Sequence, residues 1–203
     1  MTITGFRDFA IVVLAAGRSE RMGARNKLLQ HVHGKPLLAH SLETVASLAA
    51  DQLIVVTGHE HEPVSELARR YGAHTVHNAS YRDGMGTSLA CGARAVSPLV
   101  KGVFVHLGDV PFVSARTFHN LAKALIDDRQ GVHQAFAPLH EGKRGHPVLF
   151  RHELLRHLGE LRGDEGARAV LGANSCLEVS VCDPNIIRDV DTQADLTAIS
   201  NQA

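Results

Sequence analysis

Short apolar runs alternate along this chain with segments whose apolar residues recur at helical spacing. Phe9–Ala15 is an apolar run that breaks at Gly17, and a run this short, bounded by glycine, predicts a buried central strand. A helix is predicted over residues 36–49, where Leu37, Leu38, Ser41, Leu42 and Val45 share one face. Residues 53–57, 73–77 and 103–107 read as strands, 62–71 and 87–96 as helices, and Ser114 as the N-cap of a helix reaching Ile126. From His133 the pattern changes: 134–139 and 147–151 are strand-like and joined by a glycine-rich link. Asp164 is positioned to cap a helix through Leu171, and 177–181, 186–189 and 194–199 close the chain. Such alternation implies βαβ units, a parallel sheet and right-handed crossovers. The expectation is a three-layer α/β/α sandwich of Rossmann type whose mostly parallel sheet is mixed at one edge. With no repeat, low-complexity tract or linker, residues 1–203 are expected to form one domain with its core over about 9–198.

Composition narrows the partners. Lys plus Arg and Asp plus Glu number 21 each, so no overall field favours nucleic acid or an anionic membrane, and an anion must be held by a local site. Apolar residues make up 44% of the chain, enough for a full core. Cys91, Cys176 and Cys182 show neither paired nor metal-type spacing and read as reduced thiols of a cytoplasmic protein. Neither a signal peptide nor a run of the ~20 apolar residues needed to span a bilayer is visible. His59-Glu60-His61 invites a metal reading, but adjacent side chains diverge and zinc sites want more ligands, so a polar loop is expected there.

The candidate chemistry begins where the first strand ends. Its exit loop carries Arg18, Arg21, Arg25 and Lys27 against the single acid Glu20, and in open α/β sheets ligands sit outside the carboxyl ends of the strands. Gly17 permits close backbone approach, and the cations suit a polyphosphate. The loop lacks the Gly-Lys-Ser/Thr of a P-loop and the three glycines of a dinucleotide fingerprint. Asp109 directly follows the strand at 103–107, which puts its carboxylate at the same sheet edge; a plain turn residue is the competing reading. Asp189 and Asp191 share one face of an extended segment, although Asp191-Thr192 is also a natural cap for the last helix.

Leu14-Ala15-Ala16-Gly17-x-Ser19-x-Arg21-Met22-Gly23, followed by Lys27, resembles the signature of MobA-like nucleotidyltransferases, and within them the molybdenum cofactor cytidylyltransferases. Asn78-x-x-Tyr81-x-x-Gly84-Met85-Gly86-Thr87-Ser88, Gly108-Asp109-Val110-Pro111, Gly145-His146-Pro147 and Asp189-Val190-Asp191-Thr192 follow in the family's order.

The resemblance implies a magnesium-dependent transfer of CMP from CTP to the phosphate of a molybdopterin-type acceptor, with release of pyrophosphate. Arg21 and Lys27 would face the phosphates, and Asp109 with Asp191 would hold the metal, Asp109 acting with the two cations in catalysis. Leu14, Ala15, Ala16, Gly17, Ser19, Lys27, Gly84, Thr87 and Ser88 would bind the nucleotide. Ala16 is of interest because guanine-using relatives tend to carry glycine there. Asn78, Gly145 and His146 would meet the acceptor, with Arg144 and residues 164–168 lining the same cleft. The product would pass to a molybdoenzyme or its chaperone. GTP in place of CTP, another phosphorylated acceptor, and a non-catalytic carrier of nucleotide or pterin are the competing readings.

Overall fold

A computed structural model describes residues 6–18 and 26–200. In chain order the elements begin with β1 (Phe9–Ala15), a hairpin of β2 (His31–Val32) and β3 (Lys35–Pro36), and α1 (Leu37–Ser47). β4 (Gln52–Thr57), α2 (His61–Arg70), β5 (His74–His77), α3 (Met85–Ala95), β6 (Gly102–Leu107) and α4 (Ala115–Asp127) follow. The last third holds β7 (Ala135–His140), β8 (Lys143–Arg144), β9 (Val148–Arg151), α5 (Leu155–Glu160), α6 (Ala167–Ala173), β10 (Cys176–Ser180) and α7 (Gln193–Ser200).

The main sheet runs β10-β7-β9-β6-β1-β4-β5, with β8 added to β7. β1 pairs in parallel with both β4 and β6, and β9 lies antiparallel between β6 and β7. The sheet is therefore parallel through its centre and mixed towards one edge, as the sequence pattern implies. Alternation along β1 sends Ile11, Val13 and Ala15 into one core, shared with α1, α2, α4 and α7. Ala10 and Val12 enter a second core, shared with α3, α5 and α6. Ile11, Val12 and Val13 are all fully buried, each contributing about 1.5–3 kcal/mol by removal from water. A strand so sandwiched is rigid, and its carboxyl end is a fixed platform.

Several boundaries differ from the sequence reading. Asp164 does not cap a helix: α6 starts later, with Gly166 as its N-cap residue, because residues 162–166 form a turn, closed by Glu165 N donating to Arg162 O at 3.2 Å, that lies as a strap against the start of α3. The 186–189 segment is a short 3-10 turn over Pro184–Ile187. Glu60 takes a left-handed conformation before α2, and His61 opens that helix with its ring 4.3 Å from that of His77. No group of three or more metal-type ligands converges among the described residues. None of the helices among the described residues is long and apolar enough to cross a membrane.

Candidate active site

β1 leads directly into the cleft. Leu14, Ala16, Gly17 and Arg18 line it, whereas the methyl of Ala15 packs into the core beneath. Ser19, Arg21 and Arg25 lie outside the described residues. The chain returns at Asn26, a buried residue whose side-chain oxygen accepts from Leu28 N at 3.1 Å and whose amide donates to the His59 carbonyl at 3.3 Å. These bonds tie the return of the loop to the end of β4 and fix the next residue, Lys27, on a 3-10 turn.

Lys27 is the centre of the charged wall. Its Nζ donates to Asp109 Oδ2 at 2.7 Å and to Asp191 Oδ1 at 2.6 Å. Burial works against the charged ammonium, yet the two carboxylates outweigh it and the Lys27 pKa is raised. Asp109 is placed by the turn after β6, where Gly108 N donates to Leu14 O at 2.9 Å and Val110 N to Leu107 O at 3.2 Å. Asp191 is brought alongside by a backbone seam in which Val190 N donates to Asp109 O at 2.9 Å. The cap of α7 does not use the Asp191 carboxylate. Thr192 Oγ1 accepts from Asp195 N at 3.2 Å while Asp195 Oδ2 accepts from the Thr192 and Asp191 amides, a reciprocal capping box. Asp191 is thus available to Lys27, whereas Asp189 is exposed.

The opposite wall is built from bare backbone. Gly84 has φ +113, a conformation closed to most side chains, and a Cβ there would overlap the Gly163 carbonyl. Gly86 N donates to Gly163 O at 2.8 Å, and a Cβ on Gly86 would stand 2.6 Å from Glu165 O. The 162–166 strap therefore rests on the start of α3, and Asp164 faces the cleft beside Gly84, Met85 and Ser88. Tyr81, Arg82, Leu28, Leu107 and Asp109 complete a cleft of about 560 Å³, a volume suited to a nucleotide-sized ligand.

Thr87 and Ser88 part company. The Thr87 hydroxyl lies 2.8 Å from Gly84 O, 2.9 Å from Ser80 O and 2.9 Å from Asn78 Nδ2, so it is committed to the turn before α3. Ser88 Oγ accepts from Asn78 Nδ2 at 3.0 Å, which directs the hydroxyl proton elsewhere, and Ser88 lines the cleft. Asn78 itself is buried beneath both and borders a second hollow with Thr87, Arg94 and Arg162.

The expected acceptor residues do not come together. Gly145 packs on the Ile186 backbone and His146 N donates to Ile186 O at 2.8 Å, ahead of a cis His146–Pro147 bond, well apart in the fold from Asn78 at the end of β5. Arg144 is exposed and ion-paired with Glu178 of β10. Behind His146 lies a residue that the sequence reading passed over. His106 of β6 is fully buried, and burial together with nearby His146 pushes its pKa down to about 3. Met85, named in the Gly84–Ser88 motif but given no role of its own, is half exposed in the cleft.

A lysine held between two carboxylates beside a glycine-bounded loop at the carboxyl edge of a parallel sheet suits triphosphate chemistry. Comparison with known proteins agrees: the MobA-like NTP transferase domain matches residues 11–179. The chain belongs to that family. It is similar to the bifunctional protein GlmU of Mycobacterium ulcerans, 40% identical over 130 residues that cover 60% of this chain and 26% of the relative. GlmU of Cutibacterium acnes is 31% identical over 173 residues, covering 84% of this chain and 41% of the relative. The MobA-like chain thus spans well under half the length of these curated relatives. Among solved structures, a Mycobacterium sp. strain JC1 homolog of Mycobacterium tuberculosis Rv0371c superposes with a TM-score of 0.81 at 28% identity, covering 97% of this chain and 99% of that one.

Proposed function

We propose that this MobA-like chain transfers CMP from CTP to the phosphate of molybdenum-bound molybdopterin and releases pyrophosphate. The observation that carries the reaction type is the convergence of Lys27 with Asp109 and Asp191 at the mouth of β1. An oxygen of the acceptor phosphate attacks the α-phosphorus of CTP. The new P–O bond forms as the bond to the β-phosphate bridge breaks, and the electron pair leaves on pyrophosphate. The attacking phosphate is already ionised, so no general base is required, and positioning with charge neutralisation dominates.

The Lys27 ammonium is within reach of a triphosphate laid along residues 16–18, and neutralises charge that grows on the leaving group. Asp109 and Asp191 already converge on one positive centre, and two carboxylates completed by substrate phosphates are a donor set that suits magnesium. Held there, the metal supplies Lewis-acid neutralisation of the phosphates. Cytosine is favoured because a pyrimidine is smaller than a purine and tolerates the methyl of Ala16, which lines the cleft. Ser88 offers the base a hydroxyl donor. His146 and Gly145 are assigned to the acceptor, and the product is passed to a molybdoenzyme or its chaperone.

Pyrophosphate release measured with CTP, GTP and ATP, each with and without molybdopterin, tests this reading. Release is expected with CTP only when the acceptor is present. Preference for GTP would overturn the cytosine assignment, and binding without release by any nucleotide would favour a carrier.

A further inference from the structure

The three charged groups at the mouth of β1 are not equally fixed. Asp109 sits on a turn held by two backbone hydrogen bonds, and Asp191 follows a residue bonded to the Asp109 carbonyl and precedes a capped helix. The backbone at both aspartates is therefore held in place without help from Lys27. The lysine, in contrast, reaches them through four flexible methylenes, so its ammonium has rotamer freedom that the backbone-anchored turns lack. The side chain is only 10% exposed, so an unpaired ammonium would be costly there, and two facing carboxylates without a cation would repel. Some positive charge must occupy the gap. An ammonium and a divalent cation would compete for the same oxygens, because Asp109 Oδ2 and Asp191 Oδ1 both point at Nζ.

We infer that Lys27 is a placeholder for the metal: in the nucleotide-free protein its ammonium fills the seat between Asp109 and Asp191, and a divalent cation takes that seat when a triphosphate draws the ammonium away. The inference rests on the reading that these two carboxylates hold the metal. Triphosphate and metal then bind with positive coupling, and by linkage each raises the affinity for the other by the same factor. Free metal alone is kept out of the site, so the carboxylates are not committed before substrate arrives.

Manganese retained with the intact protein above an ultrafiltration membrane, which passes both the free ion and the manganese–CTP complex, reads this directly. Wild type should bind manganese about tenfold or more tightly with saturating CTP than without it. Lys27→Met should bind manganese without CTP about tenfold more tightly than wild type does, and CTP should add less than it adds in wild type. Lys27→Arg keeps a cation between the carboxylates, so it should remain as dependent on CTP as wild type. Its result stands if Lys27→Met does not fold. Equal manganese affinity in wild type with and without CTP would overturn the placeholder while leaving the metal seat intact. Manganese binding with CTP that survives both Asp109→Asn and Asp191→Asn would instead overturn the seat itself.

Discussion

On one wall of the cleft Lys27 meets Asp109 and Asp191 through charge, and on the other Gly84 and Gly86 meet the 162–166 strap through uncovered backbone. The charged wall depends on the sign of each group. The glycine wall carries no charge at the contact, yet a single methyl would displace it. The cleft is thus built from two kinds of precision, and substitutions should separate them.

The largest effect is expected from Asp109→Asn. The amide keeps the volume and turn geometry but removes the charge, so turnover per folded molecule at saturating CTP and magnesium should fall a hundredfold or more, on the order of 3 kcal/mol in the transition state. Lys27 keeps Asp191 as a partner and the amide oxygen of the variant can still accept from it, so stability should fall by only about 1 kcal/mol. Near-normal turnover would return Asp109 to a turn residue. Gly86→Ala should show the opposite profile. The added Cβ, 2.6 Å from Glu165 O, must push the strap off α3 at a cost of about 1–3 kcal/mol, seen as lower thermal stability and weaker CTP binding together. Unchanged stability would mean that the strap yields freely.

Beneath the charged wall, His106 makes stability depend on acidity. In the folded protein it stays neutral until a pH of about 3, whereas in the unfolded chain it takes up a proton near 6.5. Stability is therefore lost as pH falls from about 6.5 towards 3, at up to about 1.4 kcal/mol per pH unit from this residue. Denaturant titrations at pH 7 and pH 5 should show that slope, and His106→Gln should flatten it; an equal slope in the variant would clear His106. The smallest effects should come from the paired hydroxyls. Ser88→Ala should weaken CTP binding by about 1 kcal/mol with little loss of stability. Thr87→Ala should cost about 1 kcal/mol of stability and leave CTP affinity unchanged. Identical behaviour of the two would erase the distinction drawn from their hydrogen bonds.

The two walls also differ in how far the sequence discloses them. β1, β4 and β6 are legible because their apolar runs are buried on both faces, and their observed ends fall within one residue of those the pattern predicts. The glycine wall is half legible. Residues 84–88 are conspicuous, but the strap they receive comes from 162–166, where the sequence suggests a helix cap. Short elements escape for a physical reason: the β2–β3 hairpin pairs two residues per strand, too few to show a period of two. The helix α5, at six residues, is similarly brief. Asp109 stands out because it lies two residues past the end of an apolar strand. Its meeting with Lys27 and Asp191 does not, since partners 82 and 164 positions apart are joined only by the tertiary fold. Alternation places Asp189 and Asp191 on the same face, whereas in the structure Asp191 pairs with Lys27 and Asp189 is exposed.

The central claim is that the charged wall catalyses transfer rather than merely holding a ligand. CTP labelled at the α-phosphate, incubated with the protein, magnesium and molybdopterin, puts that claim to its most direct trial. The account predicts label in a cytidine–pterin dinucleotide with wild type, and its near-complete loss in Asp191→Asn although CTP still binds. Label confined to unreacted CTP with the wild-type protein, or equal transfer by Asp191→Asn, would contradict it.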